Sequence, residues 1–204
     1  EAFYTPYLPI SLAGVSVSFD DPTRTLSLPG HISYVSPSQI NVQVPWELQG
    51  GSSVMMKVSI GNSESALYSL QLADTAPAFF EYTDAPSGSR IAASLDESFA
   101  LISPNHPVAK GHAVLFFVNG LGPVDPQPAD GQATPAQPLA HTRVLPTITI
   151  GGQNADVAFS GLAPSIAGLY QVNVVVPPNA PSGLEVVTLT EGGVSAKSTL
   201  LPVQ

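Results

Sequence analysis

Apolar and polar residues alternate along most of this chain in short runs, punctuated by Gly, Pro, Asn and Asp. They almost never recur at the three-and-four spacing of an amphipathic helix. The alternation predicts strands over 15–19 (VSVSF), 31–35 (HISYV), 40–44 (INVQV), 53–60 (SVMMKVSI) and 66–73 (ALYSLQLA). Further strands are predicted over 112–118 (HAVLFFV), 147–150 (TITI), 155–159 (ADVAF), 169–176 (LYQVNVVV), 185–190 (EVVTLT) and 198–203 (STLLPV). Turn signals fall between them at Gly50-Gly51, Gly61-Asn62, Gly151-Gly152 and Gly192-Gly193. A spacing of about 8–12 residues between such signals is that of an all-β sandwich.

One phrase is written twice. QINVQVP at 39–45 returns as QVNVVVP at 171–177, 132 positions later. The match extends outward: SVMMKVSIGNSESALYSLQL (53–72) overlays LEVVTLTEGGVSAKSTLLPV (184–203) with a one-residue slip, and VSVSF overlays TITIG. A period this long marks two copies of one domain, since a solenoid repeats every 20–50 residues or so. The expected fold is therefore all-β, two tandem Ig-like β-sandwiches: copy one over 1–80, a Ser-, Pro- and Asp-rich connector over 81–106 with one short strand pair (RIAAS, FALIS), and copy two over 107–204. Only copy two opens with a strong strand, GHAVLFFVNGLG, and only it carries the long loop GPVDPQPADGQATPAQP. Copy one lacks a counterpart of that strand, which leaves an unpaired edge. Three arrangements would resolve this: the strand has been cut away, the segment AFYTPYL fills the gap, or another chain supplies it.

Composition narrows the function. Charged residues make up 10% of the chain, with 15 acidic against 6 basic and a net charge of −9. Six scattered Lys and Arg make no basic stripe, so a nucleic-acid partner and an anionic membrane surface are both set aside. The longest apolar runs, such as AVLFFV, are too short for membrane insertion. The absence of cysteine removes disulfides, thiolate metal ligation and Cys nucleophiles.

The phrases LAGVSVSF, YVSPSQINVQVPWEL, NHPVAKGHAVLFFVNGLGPV and FSGLAPSIAGLYQVNVVVPPNAPSG together resemble the uncharacterised Solibacter-type C-terminal domain family of secreted acidobacterial proteins. VPPNAPSG and VTLTEGGVSAKSTLLPV are also similar to the second half of IPT/TIG immunoglobulin-like domains. The resemblance implies a secreted or cell-surface bacterial protein built of Ig-like modules, and supplies no activity and no catalytic residues. It further implies a strand ahead of copy one, which this chain departs from.

Candidate chemistry is sparse. Gln39, Asn41 and Gln43 share one face of a predicted strand, as do Gln171 and Asn173 in copy two. Such amide rows can read sugar hydroxyls or a backbone, or simply satisfy neighbouring loops. Trp46, the sole Trp, follows Pro45 at a strand exit, and its counterpart is Pro178. It suits either a sugar-binding face or a structural plug. The histidines (His31, His106, His112, His141) show no metal-ligand spacing. The G-x-S-x-G elbow is missing, its nearest approach being Gly61-Asn62-Ser63-Glu64-Ser65. Asp20-Asp21, Asp96-Glu97 and Asp125 with Asp130 fall short of a calcium loop.

The expectation is thus a non-catalytic extracellular structural or interaction module with no cofactor and no metal site. Its expected partners are other protein chains or copies of itself, through Phe3, Tyr4, Tyr7, the amide rows and Trp46. The alternative is a carbohydrate-binding accessory module that takes polysaccharide.

Overall fold

A computed structural model describes residues 5–204, so Phe3 and Tyr4 lie outside the described residues. The chain is all-β, as the periodicity predicts, and its antiparallel sheets fit a β-sandwich architecture. The only helical element among the described residues is the 3-10 turn Trp46–Leu48.

The chain folds as two compact units whose boundaries differ from the linear partition expected from sequence. Unit 1 takes the residues up to 74 together with 126–140 and 163–168; unit 2 takes 75–125, 141–162 and 169–204. Hydrogen bonds explain why the Pro-rich loop belongs to unit 1. Leu8 N–H donates to Gly131 O and Ala133 N–H to Pro6 O, at 2.8 and 2.9 Å. The stretch 81–106, expected as a connector, holds three strands of unit 2 and buries Ile91, Ala92 and Ile102 completely.

Unit 1 contains β1 (Ser11–Leu12), β2 (Val15–Asp21), β3 (Leu26–Pro29), β4 (His31–Ser36), β5 (Gln39–Gln43), β6 (Ser53–Ile60), β7 (Ser63–Glu64) and β8 (Tyr68–Gln71). One sheet runs β1-β2-β6-β7, with β3 against β2 and β8 against β6; β4 and β5 form a separate hairpin. Strict alternation in β2 sends Val15, Val17, Phe19 and Asp21 inward. Val17 and Phe19 meet Ile32, Leu48 and Val54 in the core. Gly30 lies between β3 and β4, where a Cβ would collide with Val42 and Phe19.

Unit 2 contains β9 (Ala78–Phe79), β10 (Glu81–Thr83), β11 (Arg90–Ala92), β12 (Ser94–Leu95), β13 (Ala113–Asn119), β14 (Val124–Asp125) and β15 (His141–Thr142). It continues with β16 (Thr147–Ile150), β17 (Gln153–Leu162), β18 (Tyr170–Val175), β19 (Gly183–Glu191), β20 (Val194–Ser195) and β21 (Thr199–Val203). β17 pairs with β16 through its first half and with β18 through its second. The strand pair expected between RIAAS and FALIS is reduced to the Leu95–Leu101 bridge with Ile102 N–H to Ser94 O and Asp96 N–H to Ala100 O bonds, because β11 pairs with β10.

The duplication is visible in the ladders. β2, β3 with β4, β5, β6, β7 and β8 have the pairing of β16, β17, β18, β19, β20 and β21. Even the bulge repeats: it falls between Ile32 and Tyr34 opposite Val42 and Asn41, and between Val157 and Phe159 opposite Val174 and Asn173. One detail corrects the sequence overlay. Val17 pairs with Val58 while Ile148 pairs with Leu189, so VSVSF matches PTITI (146–150), one residue earlier than TITIG. The physical reason is the two-residue strand period: the overlay would have put buried Val17 on half-buried Thr149.

Candidate interaction site: an open strand edge beside an apolar cleft

The two copies of the repeated strand have different surroundings. In unit 2, β18 lies between β17 and β13, and β13 sends Val114, Phe116 and Val118 into the interior with no exposure. In unit 1, β5 pairs with β4 on one side and, among the described residues, with no strand on the other. This is the unpaired edge expected from sequence.

The side chains register the difference. Val172, Val174, Val187 and Leu189 are completely buried in unit 2, whereas their counterparts Ile40, Val42, Met56 and Val58 are half-buried. Ile60, the counterpart of buried Glu191, is 58% exposed. Together with Val15, Val17 and Val35 these residues line a cleft of about 340 Å³ beside the β5 edge. The lining also includes Ser36, Pro37, Ser38 and Gln39, and no charged side chain. Covering the half-buried lining as in unit 2 would contribute on the order of 1 kcal/mol per side chain.

The β5 edge carries no charge and no Pro within the strand. Natural edges are blunted with Lys, Pro or inward charges, yet β5 reads QINVQ.

The residues expected to make contacts sort as follows. Gln39 donates to Asn41 Oδ1 at 2.6 Å, and Gln171 to Asn173 Oδ1 at 2.8 Å, so these amides bond to one another in both copies. Gln43 accepts from Gly131 N–H at 2.7 Å and holds the Pro-rich loop. Tyr7 is 57% exposed and forms a bridge with Gln132, while Pro9 O accepts from Ile32 N–H at 2.8 Å. The described part of AFYTPYL therefore runs along the loop and β4, away from the free side of β5.

Trp46 belongs to a polar cluster in unit 1. Its backbone N–H donates to Asp130 at 3.0 Å, while its ring Nε1 and His31 Nδ1 are enclosed without a hydrogen-bond partner among the described residues. Burial, and a hydrogen bond shared with Glu47, push the Asp130 carboxyl up to about 6; the Glu47 carboxylate is held below its ordinary value by that same bond. Burial lowers the His31 imidazole. Arg24 joins the cluster to β2: its Nε bonds Asp21 at 2.5 Å, and its Nη atoms reach the carbonyls of Glu47, Leu48 and Gln49. Hydrogen bonds from Thr23 and Arg24 hold Asp21 down to about 2. All these contacts tie one loop to the next.

The remaining acidic pairs behave as turn residues. Asp96 accepts from Ser98 and Ala100 N–H and meets His106 at 2.6 Å, which draws its carboxyl far below the usual range, His106 contributing most. Glu97 accepts from Ala113 N–H and lies 3.5 Å from His112. Asp125 ends β14 in unit 2, whereas Asp130 belongs to unit 1. Among the described residues no group of three or more His, Asp or Glu is placed to hold a metal ion, and no helix is long and apolar enough to cross a membrane.

Compared with protein-family models and with curated proteins, the chain matches none.

Sequence reasoning reached β5 but not the cleft that accompanies it. Met56, Val58 and Ile60 enter the sequence reading only as part of the predicted strand 53–60, and the signal that they are short of cover is that GHAVLFFVNGLG has no counterpart among the described residues. Arg24 and Asp130 were missed in their structural roles because their partners are carbonyls and loop amides, which leave no motif.

Proposed function

We propose that this protein is a non-catalytic structural and interaction module of a secreted or cell-surface bacterial protein, acting as a spacer, adhesion or assembly unit. Its contact surface is the free edge of β5 with the adjoining apolar cleft. The observation that carries this reading is the contrast between equivalent strands, β18 covered on both sides and β5 on one. The low charge, the Pro- and Ser-rich loops and the resemblance to secreted Ig-like modules support the extracellular assignment. The polysaccharide reading rests on the amide rows and Trp46. The Gln39–Asn41 and Gln171–Asn173 bonds each take one donor and one acceptor from those rows, which leaves fewer groups to read sugar hydroxyls.

The test is photo-crosslinking from position 39, with position 171 as control, in the presence of the extracellular fraction of the source cells. A defined protein adduct from position 39 and none from 171 is expected. Retention on a polysaccharide panel without any protein adduct would favour the carbohydrate-binding module instead.

A further inference from the structure

Resting on that reading, we propose that the β5 edge and cleft take a single extended β-segment of another polypeptide, docked antiparallel to β5 as β13 docks on β18. The molecule contains its own template. In unit 2, Val114 faces Val174, Phe116 faces Val172 and Ala113 faces Val175. Shifting by the 132-residue repeat sets the incoming register: one apolar residue opposite Val42, a large apolar residue opposite Ile40 two positions on, and a small one opposite Gln43.

Three features of unit 1 specify this chemistry. The free side of β5 offers a row of backbone donors and acceptors, which only another extended backbone satisfies in sequence-independent register. The cleft lining is uncharged, so the inward-facing positions of the occupant must be apolar. The bulge that sets the twist of the β17–β18 pair, on which β13 docks, recurs at the same place in the β4–β5 pair, so the receiving strand has the shape of its covered twin. The described N-terminal residues do not compete, since Pro6 and Leu8 are bonded to the loop at Ala133 and Gly131.

The experiment uses the whole chain and a soluble peptide carrying residues 111–120 (GHAVLFFVNG) between lysine tags. Amide NMR is expected to show saturable shifts confined to 39–43 and the cleft residues. Two altered peptides leave the protein untouched. N-methylation of the alternate nitrogens that face β5 removes the ladder, and Phe116→Asp puts a charge in the cleft; each is expected to weaken binding by roughly a hundredfold. Failure of the parent peptide to bind folded protein, or equal binding of all three peptides, would overturn the proposal. So would protection of the β5 amides in the chain alone, which would mean that a second copy or the first residues of the chain already fill the edge. If the peptide fails while position 39 still crosslinks to a defined protein, only the strand-docking inference falls and the interaction-module reading stands.

Discussion

Val174→Ala and Val42→Ala remove the same atoms from equivalent places in the repeated strand, and they should not cost the same. Val174 is fully buried on a strand that β13 flanks, whereas Val42 is half-buried on the open side of unit 1. Each substitution deletes two methylene equivalents, at about 0.8 kcal/mol apiece when buried. With the cavity left in a closed core, Val174→Ala should cost about 2–3 kcal/mol. Val42→Ala, facing a cleft that already admits solvent, should cost about 1 kcal/mol. The readout is urea unfolding, followed by Trp46 fluorescence for unit 1, which holds the sole Trp, and by amide NMR intensities for unit 2. Saturation with the 111–120 peptide should raise the cost of Val42→Ala towards that of Val174→Ala. Equal costs in the free chain would refute the reasoning, because they would mean that Val42 is as well covered as Val174.

Other outcomes follow from the same structure. Gly131→Ala should destabilise unit 1 by more than about 1 kcal/mol, since Gly131 has φ +70° and a Cβ would run into the His31 ring; thermal melts report this. Tyr170→Phe should cost unit 2 about 1–2 kcal/mol by orphaning the Gly122 carbonyl that the Tyr170 hydroxyl bonds, read by urea unfolding. Burial raises the Glu191 carboxyl to about 7, and its Oε2 has no hydrogen-bond partner among the described residues. A raised acid binds more protons folded than unfolded, so unit 2 should lose stability as pH rises from about 5 to about 8, on the order of 2 kcal/mol, and Glu191→Gln should abolish that slope. Asp21 has the opposite sign: held down to about 2, its contribution is complete above its ordinary value of 3.8 and disappears as pH falls through about 2. Asp21→Asn should therefore flatten the acid limb of unit 1 in a pH titration of Trp46 fluorescence.

How much of this was legible in the sequence depended on whether the determining interaction was local. Alternation such as that of Val15, Val17 and Phe19 is written into consecutive residues, and every long strand it predicted is present. The open side of β5 among the described residues was legible too, because the repeat supplied its own comparison. The loop 126–140 was not, since its attachment to unit 1 depends on single backbone bonds such as Leu8 N–H to Gly131 O, which any residue type makes. The same is true of 81–106, where three-residue strands β10 and β11 give too short an alternation to distinguish from a loop. The amide rows were legible as residues but not as contacts: the bond from Gln39 to Asn41 depends on side-chain rotamers that the pattern does not encode.

The most direct measurement is amide hydrogen exchange, strand by strand, on the chain at a concentration where light scattering gives a single species of 21.1 kDa. The β18 amides are expected to be protected along both edges, while the β5 amides directed away from β4 exchange freely and become protected only when the 111–120 peptide is added. Equal protection of β5 and β18 in the free monomer would contradict this expectation.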